Sequence, residues 1–205
     1  MRLERAMAAA VMTAGLLTGG GVQADETVAK PKPQPQMMES GLNNPWKPAV
    51  LKPEHLILAG LVGKSATEMR VEAGPYPRFK DTQGTAEAKL ILGGLFVQVT
   101  QTGTRMKEAF DRIILYGFDP VIGKYTADVI DSTSPAVVRY IGTYDAAKKQ
   151  LNLTAKYSDQ NSHRYVTARL LTTFVDAKTW MYEEFLAPGQ DKPEVQMSRV
   201  TLKRS

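Results

Sequence analysis

The chain has 205 residues, with 26 lysines and arginines against 21 acids, a net charge of +5 and no cysteine. That balance is too weak, and its basic residues too dispersed, for a nucleic-acid footprint. Without cysteine the chain holds no disulfide, thiolate metal site, iron–sulfur cluster or thiol nucleophile.

The N-terminus reads as a secretory signal peptide over residues 1–24. Arg2 and Arg5 open it, AMAAAVMTAGLLT forms a short apolar core, and Val22-Gln23-Ala24 resembles a cleavage site. The apolar part is shorter than the ~20 residues a membrane-spanning helix needs. No later segment reaches that length, so a soluble, exported mature chain is expected, periplasmic or extracellular. No cysteine stands at the cleavage site to carry a lipid anchor. Residues 25–51 form a proline-rich linker around AKPKPQPQ, a composition that favours an extended or disordered chain. Trp46 in NNPWKP is a candidate first contact with the fold.

The folded domain is expected over 52–205. Pro53-Glu54-His55-Leu56-Ile57-Leu58 predicts a short helix, with proline in its first turn. Ten strands follow, over 64–72, 85–92, 95–102, 107–118, 124–132, 136–144, 150–158, 165–175, 180–187 and 195–203. They alternate or are rich in β-branched residues, and turn-forming sequences such as DPVIGK, STSP, DAAKK and DAKT separate them. Evenly spaced strands with local turns predict an all-β, antiparallel up-and-down barrel, because closure removes unpaired edges. In KLILGGLFVQVT, Gly93-Gly94 predicts a two-residue hairpin loop, where glycine supplies positive φ. That pairing puts Leu90, Leu92, Leu95, Val97 and Val99 on one face.

GTAEAKLILGGLFVQ, YGFDPVIGKY, VIDS and GTYDAAKKQLNLTAKY together resemble the bacterial family called domain of unknown function 1579. The resemblance covers roughly Leu56 to Arg204 and implies a lipocalin-like (calycin) barrel with no established activity. The chain departs from the family pattern at Ser65, Leu95, Val129 and Arg199.

Chemistry-bearing motifs are sparse. The sequence contains no His-x-His, His-Glu-x-x-His, Gly-x-Ser-x-Gly or P-loop spacing, so no catalytic, metal or cofactor residues are assigned. His163 falls in a turn, and a haem role for it is disfavoured. Asp131 should share a face with Tyr125, Ala127 and Val129, and burial there would require a partner such as Arg139 or Arg112. Of the successive acids Glu183 and Glu184, Glu183 is expected to face inward with Met181 and Phe185. The candidate ligand-binding set is therefore Leu95, Val97, Tyr125, Val129, Asp131, Arg139, Glu183 and Phe185. The favoured function is binding of a small hydrophobic molecule inside the barrel. The rivals are a solid structural or interaction barrel tethered by the proline-rich tail, and an enzyme using dispersed acids.

Overall fold

A computed structural model describes residues 48–71, 79–105, 108–159, 164–187 and 193–205. The expected signal peptide, most of the linker, Trp46 and His163 lie outside them. After exposed residues 48–52 comes helix α1, Pro53–Leu58, continued by a 3-10 turn, Ala59–Leu61. The strands are β1 (Gly63–Val71), β2 (Phe79–Ile91), β3 (Phe96–Arg105), β4 (Glu108–Asp119), β5 (Lys124–Asp131), β6 (Ser134–Asp145), β7 (Gln150–Asp159), β8 (Arg164–Phe174), β9 (Thr179–Ala187) and β10 (Val195–Arg204). Each pairs antiparallel with its chain neighbours, and β1 also pairs with β10, closing a ten-stranded lipocalin-like barrel. Closure leaves no strand edge unpaired. Among the described residues no helix is long and apolar enough to cross a membrane.

One end of the barrel is plugged. In α1 the Lys52 backbone N–H donates to His55 Nδ1 at 2.9 Å, fixing the first turn beside Pro53. Leu58 and Leu61 are buried under it. The Tyr125 hydroxyl donates to the Glu54 carbonyl at 3.3 Å, and Arg204 donates to the Gly60 carbonyl. The His55 ring meets Phe118 edge-on, with centroids 5.7 Å apart.

The β2–β3 turn is longer than expected. Pairing ends at Ile91↔Phe96, so Leu92–Leu95 forms a four-residue connection. The glycines are needed all the same: φ is 69° at Gly93 and 92° at Gly94. Leu92, also at positive φ, is exposed, as is Leu90 near the strand end, so neither belongs to the interior. The strand β2 starts earlier than expected because DTQGT, which resembles a turn, is paired with β1 through Asp81 and Gly84.

Strand parity selects the inward side chains, and their position along the barrel divides the interior into two levels. Towards the plugged end it is filled by large side chains, including Val97, Tyr116, Leu151, Leu153, Leu170, Trp180 and Leu202, each at most 1% exposed. Towards the other end the inward positions become small or β-branched: Ala155 pairs with Ala168, and Val129 with Val138. These side chains are too short to meet across the barrel, and a cavity opens there.

Candidate functional site

The cavity occupies about 310 Å³. Its apolar wall includes Val129, Ala136, Val138, Ala168, Leu186 and Met197. Met197 reaches it because a register shift between Gln196 and Ser198 leaves it as the extra residue of β10. Tyr140 and Tyr157 add aromatic surface, while Arg105, Arg112, Asp131 and Glu184 supply charge.

Arg112 organises the polar side. Phe110, Arg112, Ile114 and Tyr116 alternate along the inward face of β4, which carries a guanidinium into the core with 4% exposure. It donates through Nη2 to Asp131 Oδ2 at 2.9 Å and through Nη1 to Glu184 Oε1 at 2.8 Å. Nη1 also reaches the Tyr182 hydroxyl at 3.4 Å, and that hydroxyl donates to Gln101 Oε1 at 2.5 Å. Ser198 Oγ donates to Glu184 Oε2 at 2.5 Å, and Thr133 donates to Asp131 Oδ1 from both its backbone N–H and its hydroxyl. The Phe110 and Tyr182 rings lie 5.1 and 5.7 Å from the guanidinium carbon. Arg112 Nε is buried without a partner among the described residues.

The electrostatics follow from this geometry. Burial works against the Arg112 charge, but Glu184, Tyr182 and Asp131 outweigh it and raise its pKa well above the ordinary value. Burial pushes the Asp131 carboxyl up, yet Arg112 and the Thr133 hydrogen bonds bring it below the usual carboxylate value. Burial pushes the Tyr182 phenol up to about 12, so it stays a neutral relay between Arg112 and Gln101. Among the described residues no group of acids and histidines is arranged to hold a metal ion.

The candidate residues separate in space. Val129 and Asp131 line the cavity from β5. Val97 and Tyr125 are interior but belong to the packed level near the plug. Leu95 sits half-buried in the β2–β3 turn. Arg139 points outward, its side chain 67% exposed, and pairs with Asp128 at 2.6 Å; Arg112 is the partner of Asp131. The expected orientation of β9 is reversed. Trp180, Tyr182 and Glu184 point inward, whereas Glu183 lies on the outer side of the strand, buried beneath Arg199, which it binds at 2.7 Å, and Gln196. Phe185 borders the cavity, but its ring carries the Arg169 guanidinium at 3.9 Å, opposite it on outer β8. Trp-Met-Tyr-Glu-Glu-Phe offers apolar residues at both parities, so alternation alone does not orient it. The decisive partners are Val200 and Ser198 on β10, across from Tyr182 and Glu184. The legible signal was Arg112 itself, a charge at the apolar parity of FDRIILY.

The profile of the family described as Protein of unknown function (DUF1579) matches residues 51–204. The chain belongs to this family. Comparison with curated proteins finds no match. Among solved structures, the DUF1579 chain is similar to the crystal structure of Rv2717c from M. tuberculosis, with a TM-score of 0.54 and 13% identity, covering 76% of this chain and 99% of that one. A second similar structure is the S-type phycobiliprotein lyase CPES from Guillardia theta, with a TM-score of 0.47 and 11% identity, over 76% and 93% of the two chains. The likeness to Rv2717c is one of fold.

Proposed function

We propose that this protein is exported and binds a small, largely hydrophobic molecule in the open end of its barrel. One observation carries the binding: a cavity of about 310 Å³ with an apolar wall and a buried charged cluster at one side. A small-molecule site combines these two features, apolar area for affinity and a few fixed polar groups for orientation. The plugged end, filled by large side chains, provides a rigid floor. A barrel serving only as a structural body would gain by filling this level too, because packed interiors are denser than wet ones.

Export is supported by Arg2, Arg5, the apolar core that follows and Val22-Gln23-Ala24. Protein expressed in a bacterial host should be recovered outside the cytoplasm with an N-terminus at or near Asp25. Native mass spectrometry of that material tests the binding, with a co-purifying small molecule lost on denaturation as the expected result. Absence of any adduct, together with no response to apolar fluorescent probes, would refute the reading.

A further inference from the structure

We propose that the ligand of this cavity carries an ammonium group on its apolar body. This inference rests on the small-molecule reading above and specifies its chemistry. Asp131 and Glu184 share a single buried guanidinium, so this trio by itself carries a net charge of −1, and the second cation of the wall, Arg105, is half-buried at the rim. The carboxylates are its open side: their side chains are 12% and 18% exposed, against 4% for Arg112, and both line the cavity.

The lone pairs agree with the charge. Asp131 Oδ1 accepts twice, but Asp131 Oδ2 and both Glu184 oxygens each accept one of the hydrogen bonds described above. A carboxylate oxygen accommodates about two donors. Among the hydrogen bonds of the described residues, acceptor capacity is therefore left over beside the cavity, and an ammonium brings three N–H donors. Tyr140 is a second, independent pointer. It lines the cavity and is 5% exposed. Burial raises its pKa, and Glu184 and Tyr157 raise it further. Its face and hydroxyl can both receive a cation or N–H donor.

An anionic head is disfavoured by the same arrangement. It would meet two carboxylates before Arg112, whose two Nη groups are already engaged by them. The other cationic wall residue, Arg105, is half-buried at the rim, with its guanidinium 5.6 Å from the Phe110 ring. Its charge is closer to water and more strongly screened.

Octylamine, 1-octanol and octanoate share one apolar chain and differ in head charge. Titration calorimetry of the full chain at neutral pH and low salt should rank the amine at least tenfold tighter than the alcohol, with octanoate weakest. Glu184→Gln and Asp131→Asn should each shrink the amine's advantage over octanol at least fivefold. Ala168→Trp should abolish binding of all three. If octanol or octanoate binds as tightly as octylamine, the ammonium assignment is wrong and the small-molecule reading stands. The assignment is also wrong if the amine's advantage survives in both folded charge variants. If none of the three binds at millimolar concentration, the small-molecule reading itself fails. Should a charge variant not fold by circular dichroism, the parent's rank order and its loss in Ala168→Trp decide the matter.

Discussion

Arg112 is an expensive residue to bury, and its two carboxylates make it tolerable. Breaking a buried ion pair from one side costs roughly 3–5 kcal/mol, because the remaining charges lose both solvent and partner. Arg112→Met should therefore lower stability by about that amount in urea denaturation. Adding Asp131→Asn and Glu184→Gln to it should recover a large part of the loss, since neutral amides tolerate each other. A single variant as stable as the parent would mean that the cluster is energetically idle. Asp131 also links stability to pH. Its carboxyl lies below the ordinary value in the folded chain, against ~3.9 when unfolded. The folded state thus holds this proton less tightly, and the contribution is complete above about pH 4. It is lost as pH falls through the folded value. Asp131→Asn should melt below the parent at pH 6, and the gap should narrow as the pH falls below about 4. A gap independent of pH would contradict the assignment.

At the scale of the hairpins, two glycines serve for different reasons. Gly93 has φ 69° and open space around its absent Cβ, so substitution there strains the backbone alone. Gly142 on β6 is paired with Leu153, and a Cβ would run into the Asn152 carbonyl oxygen and the Leu153 backbone. Gly93→Ala should cost about 1 kcal/mol, the ordinary cost of a left-handed residue. Gly142→Ala should cost clearly more, because two strands must separate to admit one methyl group. Denaturant midpoints measure both, and a reversed order would show that one of the two environments is misassigned.

The whole barrel is a packed floor under an open room, and one large side chain can distinguish them. Ala168 lines the cavity, whereas Val97 is fully buried in the packed level. Ala168→Trp should keep a melting temperature within a few degrees of the parent while removing probe binding. Val97→Trp should destabilise by 1–3 kcal/mol or more, as overpacked cores do. Equal stability losses at the two sites would show that the cavity is not available space.

The sequence by itself determined the strand order, the helix at Pro53 and the closed antiparallel barrel, because period-two alternation and turn residues act locally. It also placed Asp131 on the face of Tyr125 and Val129, and it named Arg112 as a possible partner. Three things were decided only by the tertiary structure. The inward side of β9 depends on which residues of β8 and β10 stand opposite, and both parities of that strand are apolar enough to be buried. The depth of each inward residue depends on how far along the barrel its strand begins, so Val97 and Val129 share a lumen but not a level. The meeting of Arg112 with Glu184 joins β4 to β9, which lie far apart around the barrel. Their contact exists because a closed sheet turns its inward side chains towards one another across the lumen.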